Sequence, residues 1–390
     1  MGLIGFMGPM GLMSCSSESS DGQESQQQYA VGFSASFAEN AEGAAARMTR
    51  SEPQPGDGEL TTELLRETGF GVYCWYTGSS PYTPGTAIKN VTSTILMLNQ
   101  HVEYKNSQWT YSPSKYWPIN KEEMLTLRAY APYVSYTLQT DANGLPLLPV
   151  VVKADDYHNG TQHDPLWGTS KHGGSDDEGT TYGLLYNNLK LEQSGSETTK
   201  DNRDGTIDWY FHHGMSKLMF ACSIIKDPGC DSVKIKKIVI TPLYDKGLLS
   251  LSSEKSPESG LNKPQWTDCS SNDPEGMTVT LTDFASDPLV ILTKKDEATE
   301  FVPLLSKGLL VIPRDYTSDP MNVTIFYSVD NDDTPLEASG TIKKDIEGNT
   351  SYTLNLSLTP STKGMEITLV QSAFKNWEDG GTIDRTVYNW

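Results

Sequence analysis

"YAVGFSASFAENAEGAAARMTRSEPQPG", residues 29 to 56, joins two stretches of opposite character. In the first nine residues Tyr29, Val31, Phe33, Ala35 and Phe37 fall on one side and small or polar residues on the other. That period of two predicts a β-strand with one buried face. The rest is rich in Ala, Gly and Pro, which no packed core requires. It carries Arg47 and Arg50, the first basic residues in a chain of formal net charge -20. A strand joined to the remainder by an exposed, protease-accessible linker organises the reading of everything downstream.

The strand pattern recurs along the chain. "GFGVYCWY", "EMLTLRAYAPY", "SKLMFACSII", "VKIKKIVITPL", "MTVTLTDF", "NVTIFYSV" and "TSYTLNLSL" are short and rich in β-branched or aromatic residues, with Gly, Pro, Asn and Asp clusters between them. "TTELLRETG" (Thr61 to Gly69) supports one or two helical turns, and no long 3.6-residue period occurs. The fold class is therefore all-β, a sandwich or barrel architecture. A chain of 390 residues is long enough for two domains or three. The most polar interior stretch, "LEQSGSETTKDNRDGT" (Leu191 to Thr206), divides it into halves each sized for one sandwich. The boundary is accordingly expected at 205/206, with domains over 51–205 and 206–390.

Fourteen largely apolar residues precede Cys15, fewer than the ~20 that a membrane-spanning helix needs. Their length and small-residue end fit a secretory apolar region instead. "LMSC", Leu12 to Cys15, resembles the bacterial lipobox, a signal in which the cysteine is lipidated and becomes the mature N-terminus. The departure is the lack of Lys or Arg ahead of it. Residues 1–14 then form the signal, 15–27 a polar tether too hydrophilic to fold alone, and 28–50 the first strand with its cleavable linker.

Several function classes are disfavoured. A polyanion binder needs a basic stripe, and none here exceeds "KIKK" (Lys234 to Lys237), which reads as the wet side of a strand. No nucleic acid partner is expected. Four cysteines (Cys74, Cys222, Cys230, Cys269) lack CxxC spacing, so zinc is not implied, and a 222–230 or 230–269 disulfide stays open. His158, His163 and His172 lie in a glycine-rich loop with irregular spacing. "NRDGTID" resembles part of a calcium loop but has Lys200 at the first ligand position, and the adjacent His212 and His213 point to opposite faces of a strand. No metal and no cofactor is expected. GxSxG, Cys–His, Walker and dinucleotide signatures are all missing, so the chain does not read as an enzyme.

Cleavage after Arg50 would leave Ser51 as the new N-terminus and detach both anchor and first strand. Cleavage after Arg47, leaving Met48, is the alternative. Removing the strand uncovers backbone groups and the surface covered by Tyr29, Val31, Phe33, Ala35 and Phe37. At ~25 cal/mol per Å² that amounts to several kcal/mol, which a strand from another molecule can recover. Repeated head to tail, such exchange makes a filament.

This order resembles the fimbrillin family of Bacteroidales surface lipoproteins, the type V pilins. "FSASF…MTRSE" followed by "FGVYCWY" is similar to the family's first strand, Arg cleavage site and second strand. "YWPINKEEMLTLRAYAPY" (Tyr116 to Tyr133) resembles a family signature, with Arg128 where an aromatic residue is frequent. "DPLWG", "FHHGMSKLMF" and the Trp-containing C-terminal stretch resemble further landmarks.

The resemblance implies two tandem transthyretin-like Greek-key β-sandwich domains. It also implies outer-membrane lipid attachment through Cys15, maturation by an Arg-specific protease, and polymerisation with other fimbrial subunits at the cell surface. It makes 381–390 the candidate donor strand, in which Ile383 and Val387 share a face with Arg385 and Asn389, while Tyr388 and Trp390 share the other. Two alternatives are a non-polymerising surface lipoprotein and a tip adhesin binding glycan or host protein.

Overall fold

The computed structural model describes residues 29–37, 62–88, 94–170, 184–191, 205–226, 228–252, 263–284 and 289–373. Strands dominate. The first half contributes β1 (Gly32–Phe37), helix α1 (Thr62–Thr68), β2 (Phe70–Gly78), β3 (Thr94–Lys105) and β4 (Gln108–Thr110). β5 (Met124–Ala131), β6 (Gln139–Thr140), β7 (Pro146–Val151), the short α2 (Asp156–Asn159) and β8 (Leu166–Thr169) follow. Next come β9 (Thr206–His213), β10 (Ser216–Ile224), β11 (Ser232–Leu243), β12 (Lys246–Ser250) and β13 (Gln265–Ser270). β14 (Met277–Leu281), β15 (Leu289–Leu292), β16 (Val302–Pro303), β17 (Leu309–Val311) and β18 (Arg314–Asp315) precede β19 (Met321–Val329). The series ends with β20 (Asp332–Ile342), β21 (Asp345–Ile346), β22 (Thr350–Thr359) and β23 (Gly364–Ala373).

One seven-stranded sheet runs β1-β9-β8-β5-β2-β3-β4. Its ends approach each other: Tyr111, just past β4, donates its hydroxyl to the Val31 carbonyl ahead of β1 at 2.7 Å. The curl encloses a core of Val31, Phe33, Phe70, Val72, Leu125, Leu127, Ile207, Trp209 and Phe211. The opposite face packs Tyr73, Trp75, Tyr130 and Trp167 onto Leu148 and Leu249 of the four-stranded sheet β13-β12-β7-β6. β5 is consequently buried along its whole length, and Tyr130 lies so close over Gly71 that a Cβ there would sit 2.3 Å from its ring. Arg128 shares that burial. Its guanidinium donates to the Leu127 carbonyl at 2.7 Å and to Asn187 Oδ1 at 2.8 Å, and burial pushes its pKa down to about 10.

The C-terminal sandwich follows simple alternation. β22 buries every second residue, and Tyr352, Leu354, Leu356 and Leu358 meet Val233, Ile235, Ile238 and Ile240 of β11 in one core. Ile235 and Ile238 are three apart, a spacing that strict alternation would put on opposite faces. A register shift between Ile235 and Lys237 resets the phase, as a β-bulge does. The wet face expected for "KIKK" is thereby kept: Lys236 pairs with Asp333 at 3.0 Å and Lys237 lies 4.1 Å over the Phe326 ring.

The sheet does not change at residue 205. β9 belongs to the first sheet, the chain crosses to the C-terminal sandwich at Gly214 and Met215, and β12–β13 then return to pair with β7. The polar stretch at 191–206 precedes a strand of the same sheet. Loop polarity reports solvation, and solvation does not mark a domain edge.

Candidate functional site

β1 is an edge strand held from two sides. It runs parallel to β9, with Phe33 opposite Ile207, Ser34 opposite Asp208, Ala35 opposite Trp209 and Phe37 opposite Phe211. On its other flank the backbone N–H of Val31 donates to the Lys115 carbonyl, and that of Trp117 to the Tyr29 carbonyl, both at 2.9 Å. Ala30 forms a bridge with Tyr116. The Trp117 indole N–H and the Gly32 amide both donate to the Gly205 carbonyl at 2.9 Å. Residues 29–32 thus sit in a hydrogen-bonded clamp.

The alternation of the segment decides what enters the core. Val31 is 1% exposed and Phe33 7%, and Tyr29 and Ala35 pack against the same cluster half-buried. The Phe33 ring meets Phe70 edge-on at 6.2 Å and Tyr111 at 5.4 Å. Burial pushes the Tyr111 hydroxyl up to about 12, so it acts as a neutral donor. Burying Val31 and Phe33 is worth about 1.5–3 kcal/mol for each side chain. On the outward face Ser34 Oγ donates to Asp208 Oδ1 in a short contact, and Tyr186 Oη donates to the Asp208 carbonyl at 2.6 Å.

Of the residues singled out from sequence, the structure brings together Tyr29, Val31, Phe33, Ala35 and Phe37. Cys15, Arg47, Met48, Arg50, Ser51, Ile383, Val387, Tyr388 and Trp390 lie outside the described residues. Tyr111, Lys115, Gly205 and Asp208 complete the groove; the first two were not singled out and the last two only within "NRDGTID", because their roles here depend on registers set across up to 174 residues of chain. Only "YWP" drew attention to Trp117.

His158, His212 and His213 have structural partners. His212 meets Thr169 Oγ1 at 2.8 Å across β8–β9, whereas His213 meets buried Asp164 at 2.6 Å, so the two rings diverge. His158, on α2, joins Asp283 Oδ2 at 2.8 Å and the Thr280 carbonyl at 2.7 Å. Burial works against its charged form, but these two acceptors outweigh it and raise the pKa above 6.5. A folded pKa above the unfolded one stabilises fully at low pH and loses that contribution as pH rises through the folded value. The melting-temperature gap between wild type and His158→Gln should therefore be widest below the ordinary imidazole value of about 6.5 and shrink as pH rises above it. A gap constant across that range would refute the assignment.

The four described cysteines are free thiols: Cys74 and Cys222 are core residues, and Cys230 and Cys269 are half-buried. Neither disulfide left open by the sequence forms. Burial pushes Cys222 up to about 12 and Cys269 to about 11, which leaves both unreactive at neutral pH.

Comparison with known proteins places this architecture. A crystallised fimbrial protein of Bacteroides vulgatus superposes with a TM-score of 0.58 at 16% identity, over 89% of this chain and 100% of that one, a likeness of fold. Fimbrium subunit Fim1C of Phocaeicola vulgatus is 33% identical over 86 residues, so the match spans 22% of either protein. The family model for fimbrillin-like proteins matches residues 61–377, from the start of α1 to just past β23. With that match extending over both sheet systems, the chain belongs to the fimbrillin-like family.

Proposed function

We propose that this chain is a structural subunit of cell-surface fimbriae. In this reading it is exported as a lipid-anchored precursor through Cys15, cut by an Arg-specific protease at Arg50–Ser51 (or Arg47–Met48), and polymerised when a strand of another subunit replaces β1. Its two sheet systems are then the counterparts of the tandem transthyretin-like sandwiches that the family resemblance implies, and 381–390 is the strand offered to a neighbour.

One observation carries the reading. β1 and the residue ahead of it contribute Phe33 and Val31 to the core, yet β1 is an edge strand, and its covalent connection runs through the stretch that holds both linker arginines. Removal takes the β1-side partners from the Lys115 and Gly205 carbonyls and the Tyr111 hydroxyl and opens an apolar cavity beside them, which another extended segment can refill. An arginine-specific protease should convert the precursor to a form beginning at Ser51 (or Met48), and that form should take up a synthetic 29–37 peptide. Arg47→Ala combined with Arg50→Ala should block the conversion. Retention of the first fifty residues after cutting, with no strand uptake under any condition, would overturn the proposal.

A further inference from the structure

The outward side of β1 meets β9 through two contacts that apolar burial does not explain. Ser34 Oγ donates to Asp208 Oδ1, a charge-assisted bond within the parallel pairing. Two residues earlier, Gly32 lies opposite Thr206. A Cβ at that position would lie 3.1 Å from Thr206 Oγ1 and 3.5 Å from Thr206 Cα, so any larger residue crowds Thr206 and a branched one crowds it most. Between them Phe33 points inward, so the groove reads apolar, glycine, aromatic, hydroxyl in succession.

We infer that Thr206 and Asp208 select the strand that fills this groove: it carries glycine at the position of Gly32 and a hydrogen-bond donor at that of Ser34, and it comes from a different subunit. This rests on the strand-exchange reading above. The misfit of the chain's own candidate segment "GTIDRTVYNW" (381–390) carries the last clause. Four registers, laid parallel to β9, put an apolar or aromatic residue at the Phe33 position. Ile383 there sets Asp384 against Asp208, carboxylate facing carboxylate. Val387 there forces Arg385 into the fully buried Val31 position. Tyr388 there places β-branched Val387 where even a Cβ crowds Thr206. Trp390 there does the same with Asn389 and presses Tyr388 into the space of a valine. A second copy of this chain therefore does not serve this groove with 381–390.

The test uses the full chain with a site-specific protease sequence placed in the 38–61 connection. After nicking, β1 stays bound without a covalent tie, and labelled peptides compete for its place. The 29–37 peptide should exchange in. Its Ser34→Ala form should bind about tenfold more weakly, the scale of one hydrogen bond to a charged group. Its Gly32→Val form should lose at least about tenfold, and the 381–390 peptide should not enter.

On Asp208→Ala protein the 29–37 peptide and its Ser34→Ala form should bind alike, since their shared interaction has been removed. Equal binding of all peptides to the wild type, or entry of 381–390 with the affinity of 29–37, overturns the inference. Failure of even the 29–37 peptide to enter counts against strand exchange itself. Selection is then read by hydrogen exchange over residues 29–37 in the uncut chain. Ser34→Ala and Asp208→Ala should each speed exchange there about tenfold and their combination no further, and unchanged rates refute the roles of both residues.

Discussion

Trp117→Ala lowers stability by about 3–5 kcal/mol and frees β1 from its sheet. Trp117 is 2% exposed in the core of the curled sheet, so truncation leaves a cavity the size of an indole. It also removes the N–H that holds the Gly205 carbonyl at 2.9 Å, the same carbonyl that accepts from the Gly32 amide. The loss is therefore both general and local. Urea unfolding should show a midpoint shift at constant slope, and hydrogen exchange over residues 29–37 should accelerate beyond the global change. Trp117→Phe keeps most of the apolar volume and should lose only about 1–3 kcal/mol, the cost of the bond together with the reshaped contact. A Trp117→Ala protein within about 1 kcal/mol of wild type would show that the clamp is incidental.

Asp164→Ala is expected to cost a similar amount, about 3–5 kcal/mol, through a different cause. Asp164 Oδ2 lies 2.6 Å from His213 Nδ1 with both side chains buried, at the point where β9 ends and the chain crosses to the C-terminal sandwich. The neighbouring backbone is equally committed: the His213 amide donates to Asn349 Oδ1 at 3.0 Å, and the Gly214 amide to the Pro165 carbonyl at 2.7 Å. Removing the carboxylate deprives a buried imidazole of that partner in a region water does not reach. Calorimetry should record a lower melting temperature. Asp164→Asn, which preserves the shape and one acceptor oxygen, should recover part of the loss. Equal stability of Asp164→Ala and wild type would mean that the pair contributes nothing to the junction.

The parts of this protein legible from sequence are those whose physics is local. The alternation at Tyr29–Phe37 and Thr350–Thr359 marks strands because successive side chains leave the backbone on opposite sides whatever the partner is. Inward-facing Val31 and Phe33 were readable on the same grounds. Arg128 was not: its alternation partner Tyr130 faces a second sheet, β13-β12-β7-β6, and nothing near Arg128 in the chain announces that cover.

The 205/206 boundary shows the limit from the other side, since a polar stretch of sequence reads alike between two strands of one sheet and between two domains. The chain by itself determined the all-β class, the strand at Tyr29–Phe37, and the family landmarks. Tertiary structure alone decided that β1 runs parallel to β9, that Trp117 and Gly205 clamp it, that Asp208 accepts from Ser34, and that β12–β13 return to the first unit. Strand identity arises from neighbours one and two residues away. Pairing and groove chemistry arise from residues 80 to 174 positions apart, whose meeting is set by the summed burial of the whole core.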